Sequence, residues 1–318
     1  VSPRVAVTDH IFADLELETA AAAELGAELE SHQVSTEEET LAALTGVDLA
    51  FVNFAPVTRR VLAAMAPGAM VVRYGIGYDN VDVDAARELG VRVANVPDYG
   101  ADTVADHAVT CALLLLRKVV SFDRAIATGG WLSPPDLAPI RAFSATTVGL
   151  LGTGRIGLAV ADRLRPFGFS VIAHDPFADA EVLRAHGVEP VGVEELFTRS
   201  QLLSLHAPAT ETTRRIVNAD TLAVMPPGAA LVNTARGALV DTDALLAALD
   251  SGRLAGAALD VVEPEPLPAG HPLRGHPGVV LTPHAAFYSE ESLRALQRLA
   301  CEEVLRAGRG EPLRCPVV

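Results

Sequence analysis

Thr147-Val-Gly-Leu-Leu-Gly-Thr-Gly-Arg-Ile-Gly157 passes from an apolar run into a glycine cluster and then into a segment carrying Leu158, Val160, Ala161 and Leu164 at helical spacing. Gly152, Gly154 and Gly157 stand in G-x-G-x-x-G order between an expected strand and an expected helix, the context that makes this pattern specific. Gly152 suits a tight turn. Gly154, with Thr153, Arg155 and Ile156 beside it, lets the backbone approach a pyrophosphate, and Gly157 lets helix and strand pack closely. The following strand, Ser170 to Ala173, runs into His174-Asp175-Pro176. An acidic residue there is placed to hold a ribose 2'-hydroxyl and to repel a 2'-phosphate, so Asp175, followed by Pro176, favours NAD over NADP.

Outward from this stretch, short apolar runs alternate with helical ones almost throughout. Val148 to Leu151, Ser170 to Ala173, Leu202 to Leu205, Ala229 to Asn233, Gly256 to Asp260 and Val279 to Thr282 read as six strands of one doubly wound parallel sheet. Arg4 to Thr8, Leu49 to Phe51, Met70 to Arg73 and Arg92 to Asn95 read as strands of an earlier α/β domain, with a helix over Ala13 to Leu29. A long helix from Asp102 to Gly129 links the two series and leads to Trp131 and a proline-rich loop. A last helix, Ser289 to Arg306, has an apolar face that needs a partner. The expectation is two Rossmann-like α/β domains: 99–284 binding NAD, and a discontinuous substrate domain of 1–98 with 285–318.

Composition agrees. The chain has 318 residues, enough for two cores, and is 50% hydrophobic but only 5% aromatic. A formal net charge of -15 without a basic block argues against direct nucleic-acid binding. Cys111, Cys301 and Cys315 show no paired spacing, so neither a disulfide framework nor a metal site is expected, and a reducing cytoplasm suits them. The first residues lack the pattern of a secretory leader, and Leu113 to Leu116 is too short to cross a membrane; it reads as part of a buried helix.

Three later segments carry polar groups beyond the ends of expected strands: Leu231-Val-Asn-Thr-Ala-Arg-Gly237, Leu259-Asp-Val-Val-Glu-Pro-Glu-Pro266 and Leu281-Thr-Pro-His-Ala-Ala286. Singly, a loop arginine, a Pro-flanked glutamate and a histidine after proline are as often structural as functional. Together, behind a dinucleotide motif, they suit reduction of a 2-oxo acid. Arg236 offers a planar fork for a carboxylate, His284 a proton for a carbonyl oxygen, and Glu265 a carboxylate to fix the imidazole.

GTGRIG, HDP, LHAP (Leu205 to Pro208), NTARG with Asp241 downstream, LDVVEPEP and TPHAA occur in the order found in the D-isomer-specific 2-hydroxyacid dehydrogenases, which this chain resembles over nearly its whole length. The resemblance implies a nicotinamide domain inserted in a substrate domain, a site in the cleft between them, a homodimer, and the Arg236, Glu265 and His284 roles given above. It implies that the cofactor also meets His206, Ala207, Pro208, Thr234, Ala235, Arg236, Asp260, His284 and Ala286, with Thr103 beside the nicotinamide half. Val72-Arg-Tyr-Gly-Ile-Gly-Tyr-Asp-Asn80 is similar to the family's substrate loop, giving Arg73, Tyr74, Gly75 and Ile76 as substrate contacts, with Asn53 and Phe287 as further walls and Phe54 as part of an apolar pocket.

Arg73, Thr282-Pro-His-Ala-Ala-Phe-Tyr-Ser-Glu290 and Leu313-Arg314 are similar to the branch containing the C-terminal-binding corepressor proteins, which usually have tryptophan where Phe287 stands. A rival function follows, an NAD-sensing dimeric binding protein with little turnover; the compact chain weighs against it. Formate or phosphite oxidation is a further alternative on similar scaffolds, and Glu265 argues against the formate case.

Overall fold

The computed structural model describes residues 2–137 and 139–318. In chain order the elements are β1 (Val5–Val7), α1 (Glu16–Glu24), β2 (Leu29–Ser31), α2 (Glu37–Leu44), β3 (Leu49–Val52), α3 (Arg59–Ala64), β4 (Met70–Arg73), α4 (Val83–Leu89) and β5 (Arg92–Asn95). Then come α5 (Ala101–Leu116), α6 (Val119–Ala127), β6 (Thr147–Leu151), α7 (Arg155–Leu164), β7 (Ser170–His174), α8 (Ala180–Ala185) and β8 (Val188–Pro190). The remainder is α9 (Val193–Arg199), β9 (Leu202–Leu205), α10 (Ala219–Val224), β10 (Ala229–Asn233), α11 (Thr242–Asp250), β11 (Leu254–Leu259), β12 (Val279–Leu281) and α12 (Glu290–Gly308). The chain forms two compact units, Val1–Gly100 with Tyr288–Val318, and Ala101–Phe287. Each is a parallel α/β, Rossmann-like sheet.

In the first unit the strands lie in the order β2-β1-β3-β4-β5, all parallel. Strand periodicity of two sends alternate side chains to opposite faces. Val5, Val7, Leu49, Phe51, Met70 and Val72 pack beneath α1 and α12, while Ala6, Ala50, Val52, Val71 and Val93 pack with residues of α2, α3 and α4. The apolar face of α12, without a partner in the sequence pattern, thus lies on β3 and β4. Its start is fixed by Ser289, whose side chain caps Ser292.

The second unit has the order β12-β11-β10-β9-β6-β7-β8, again parallel. Leu203, Leu205, Leu231 and Leu259 face one core and Val148, Leu150, Leu202 and Val232 the other. Strand order reverses between β6 and β9, so their carboxyl ends open the crevice in which open α/β sheets bind ligands.

Several boundaries differ from expectation. The helix expected over Ala13 to Leu29 stops at Leu25, where Gly26 turns with φ +73, and Leu29 already belongs to β2. The second sheet has seven strands, not six, because β8 is too short and too charged to stand out in the sequence. The long helix is two: Lys118 at φ +57 breaks it, its Nζ donating to Ala255 O. Leu113 to Leu116 are only partly buried; Val104, Ala105, Ala108, Val109, Cys111 and Ala112 form the buried face of α5. No helix among the described residues is long and apolar enough to cross a membrane.

Candidate active site

The glycine loop follows β6. Gly152 has φ +90, and a Cβ there would lie 2.8 Å from Ala207 N, so the turn and the close approach of the loop after β9 both exclude a side chain. At Gly157 a Cβ would come within 2.3 Å of Gly152 O, the close helix-to-strand packing expected. Gly154 is different: nothing lies within 4 Å of where its Cβ would be. Open space therefore sits at the N-terminus of α7, where no side chain caps the free amides and the helix dipole favours an anion.

Other features of this edge fit a dinucleotide. Among the described residues, His206 Nδ1 and Thr234 Oγ1 are buried side-chain atoms without a hydrogen-bond partner, an arrangement that calls for a ligand or water. Burial pushes the His206 imidazole down to about 4, so it is neutral near pH 7, with Nε2 2.9 Å from Ser204 Oγ. Asp175, at the end of β7, accepts from Thr153 N (2.8 Å), Thr153 Oγ1 (3.0 Å) and Phe177 N (3.0 Å). Burial opposes its charge, but these bonds outweigh it and hold the carboxyl below its ordinary value. Thr103 lies in the first turn of α5, and Ala207 and Pro208 follow β9.

The polar triad occupies successive loops at the same sheet edge. After β10, buried Asn233 shapes the turn: its side chain accepts from Ala235 N (3.0 Å) and donates to Arg236 O (2.8 Å). Arg236 Nη1 donates to Ala235 O at 2.7 Å. A Cβ on Gly237 would come within 2.1 Å of Val262 C, so the bare glycine seats the arginine loop against the backbone of the loop that carries Glu265. Glu265 accepts from Val262 N at 3.0 Å and lies 2.8 Å from His284 Nδ1. Burial raises its pKa, but the hydrogen bonds from His284 and Val262 outweigh that and leave it below the usual carboxylate range.

His284 has φ +54, a region that costs a non-glycine residue about 1–2 kcal/mol. The loop is held there by Asp260, 4% exposed at the end of β11. Its backbone oxygen accepts from His284 N (2.8 Å), and its carboxylate from Thr282 Oγ1 (2.6 Å), Ala285 N (2.8 Å) and Ala286 N (3.0 Å). The carboxylate of Asp260, a residue expected among the cofactor contacts, is engaged by these three groups of its own protein. His107 Nε2 lies 3.1 Å from Thr282 Oγ1 and braces the same corner. The Phe287 ring meets the His284 imidazole edge-on at 6.2 Å.

On the first unit, the loop after β4 holds Arg73, Tyr74, Gly75 and Ile76. Gly75 has φ +122, and a Cβ there would collide with Arg73 Nη1, so the arginine folds along the glycine and donates to Tyr74 O. The Arg73 guanidinium lies 5.6 Å above the Phe54 ring. Tyr74 departs from expectation. It is 1% exposed, its hydroxyl donates to Glu18 (2.8 Å) and its ring stacks on Phe51, so its side chain is core. Phe54 is 51% exposed and Asn53 is buried. Asn233, Gly237 and Thr282 lie inside the motifs quoted from the sequence but carry no expected role of their own, and His107 does not stand out there at all.

Residues 109–286 match the family model described as D-isomer specific 2-hydroxyacid dehydrogenase, NAD binding domain. A glyoxylate reductase of Korarchaeum cryptofilum is 38% identical over 259 residues, covering 80% of this chain and 78% of that protein. A crystal structure of a Thermus thermophilus protein has 35% identity and a TM-score of 0.88, covering 99% of this chain and 100% of the other. An acyclic imino acid reductase solved with NADPH and D-Arg has 26% identity and a TM-score of 0.87, with 99% and 100% covered. The chain is a member of the D-isomer specific 2-hydroxyacid dehydrogenase family, built on the fold that binds NAD or NADP.

Proposed function

We propose that the protein is an NAD-dependent oxidoreductase that interconverts a 2-oxo acid and the matching D-2-hydroxy acid. The observation that carries this reading is the 2.8 Å contact of His284 Nδ1 with Glu265, in a loop locked by Asp260 at the edge that also presents Arg236 and the open glycine turn. Gly152, Thr153, Gly154, Arg155 and Ile156 would hold the cofactor pyrophosphate, Asp175 and Pro176 the ribose, and His206, Ala207, Pro208, Thr234, Ala235 and Thr103 the remainder. When bound, the nicotinamide supplies or accepts the hydride.

The chain's own residues do the rest. Arg236 pairs its fork with the substrate carboxylate and lays positive charge beside the carbonyl. With Nδ1 engaged by Glu265, Nε2 is the His284 nitrogen proposed to give a proton to the carbonyl oxygen in reduction and to take it back in oxidation. The carboxylate of Glu265 fixes the ring and offsets the imidazolium charge. On the first unit, Arg73 with Gly75, Ile76 and Asn53 is proposed to bind substrate, and Phe287 to line the His284 side.

The preference for NAD over NADP is proposed on Asp175, which is ionised and lies at the β7 end. A homodimer is proposed on the exposed apolar side chains of α6 and the loop after it, Val119, Ile126 and Trp131, the last 87% exposed. A cytoplasmic location is proposed on the buried thiols of Cys111 and Cys301. Likeness to the C-terminal-binding branch rests on Arg73 and the 282–290 stretch and adds no second activity here.

The test follows NADH absorbance while the protein meets glyoxylate, pyruvate, hydroxypyruvate, 4-methyl-2-oxopentanoate, phenylpyruvate and phosphonopyruvate. Turnover of at least one is expected. Tight NADH binding with none consumed would transfer the weight to a cofactor-stabilised binding protein.

A further inference from the structure

The first unit has its own reversal of strand order, between β1 and β3, and the two loops leaving those strands meet at one buried carboxylate. Asp9, 8% exposed, accepts three consecutive backbone amides: Asn53 N at 3.2 Å and Ala55 N at 3.2 Å on Oδ1, and Phe54 N at 2.7 Å on Oδ2. Thr8 Oγ1 adds a bond to Oδ1 at 2.7 Å. The carbonyls of the same loop are taken from the other side, Asn80 Nδ2 donating to Asn53 O (3.1 Å) and Ala55 O (2.8 Å). A loop with its amides and carbonyls both satisfied by buried or half-buried side chains has little freedom, and what it holds out is the half-exposed ring of Phe54, over which Arg73 lies.

We propose that Asp9 is a positioning residue for substrate choice: it sets Phe54 under Arg73, whose guanidinium fixes the ring, and the ring favours 2-oxo acids with an apolar or aromatic substituent. This rests on the function proposed above. The carboxylate is required by chemistry rather than shape. Three N–H groups and a hydroxyl point at Asp9; an asparagine there offers one oxygen and an NH2, which would face at least one amide donor with another.

The experiment uses the NADH-loaded protein and its Asp9→Asn, Phe54→Ala and Thr8→Val variants, with phenylpyruvate and glyoxylate as substrates. Arg73 is also labelled with phenylglyoxal and followed by peptide mass spectrometry. Asp9→Asn and Phe54→Ala are expected to raise KM for phenylpyruvate relative to glyoxylate about 10-fold, the scale of one lost interaction, with kcat changed less than about 2-fold. Both are expected to label at Arg73 about 3-fold faster, since the cation is no longer covered by the ring. Thr8→Val removes a donor to Asp9 without touching the loop and serves as the stability control; it moves neither readout. A lower melting temperature in Asp9→Asn with wild-type KM ratio and wild-type labelling overturns the proposal and leaves Asp9 a purely structural acid. If none of the six 2-oxo acids named above turns over, the proposed function falls, while labelling still decides whether Asp9 places the Phe54–Arg73 pair: an unchanged rate overturns it.

Discussion

Asp9 and Asp260 are the same device used twice. Each is a nearly buried aspartate at the end of a parallel strand, each takes a threonine hydroxyl on one oxygen, and each gathers the amides of a loop distant in sequence. They differ in what the loop is made to do. Asp9 holds residues 53–55, among which no φ is positive, and presents a ring. Asp260 holds 284–286 with His284 at φ +54, against a cost the backbone would relieve if released, and presents a titratable nitrogen. Satisfying buried amides is thus the common means; of these two loops, strain is stored in the one whose side chain has to point in one direction for chemistry.

The widest separation between the two corners is expected from His284→Ala. Turnover should fall about 10^3-fold, as for loss of a general acid and base, with NADH affinity by fluorescence titration little changed. Turnover within about 2-fold of wild type would mean that the Asp260 corner holds no reacting group and is no different from the Asp9 corner.

Asp260→Ala tests the holding rather than the held. It orphans the buried amide of Ala286, together with Ala285 N and the Thr282 hydroxyl, and unpaired buried groups cost about 1–3 kcal/mol each. A stability loss of about 3 kcal/mol or more by urea denaturation is expected, with turnover down about 100-fold because the loop relaxes from positive φ. A stable, active Asp260→Ala protein would break the parallel.

Glu265→Gln sharpens it by pH. The native pKa of Glu265 lies below its unfolded value, so its contribution to stability is present above the unfolded carboxylate pKa, about 4.3, and is lost as pH falls through the native value. The stability difference between wild type and Glu265→Gln should therefore be present at pH 7 and shrink below about pH 4. A difference independent of pH would assign it to packing. The smallest effect is expected from Asp175→Ala: the ratio of kcat/KM for NADH over NADPH should drop about 10-fold, the scale of one charge-assisted hydrogen bond. An unchanged ratio would remove Asp175 from cofactor choice.

How much of this was legible in the sequence follows from the range of the forces involved. Val-, Ala- and Leu-rich strands and the glycine turn are local patterns, so both sheets were readable, as was the placing of Arg236, Glu265 and His284 in loops after strands, with Glu265 beside His284. β2 and β8 were not, because each has three residues, with Glu30 and Glu189 at their centres, and their pairing rather than their composition makes them strands. The break at Lys118 has no glycine or proline to announce it; a left-handed turn and a bond to Ala255 O, 137 residues away, create it. Tyr74 reads as a substrate contact because it stands beside Arg73, yet Glu18 from α1 draws its hydroxyl inward. Asp9 was invisible for the complementary reason: its partners lie 44 to 46 residues away, and nothing near it in the chain marks it as more than a strand-end acid.

The three glycines of the turn after β6 also differ in a way useful at the bench. Gly152 and Gly157 are enclosed by backbone, so any side chain there damages the molecule itself, whereas Gly154 has φ -64 and empty space before it. An alanine at Gly154 would place its Cβ where nothing in the protein lies within 4 Å, in the volume proposed for a phosphate. Such a variant would be a blank: folded, expressed and antigenically intact, but blind to its cofactor, and so the control against which any effect of this protein in a cell can be separated into the part owed to catalysis and the part owed to mere presence.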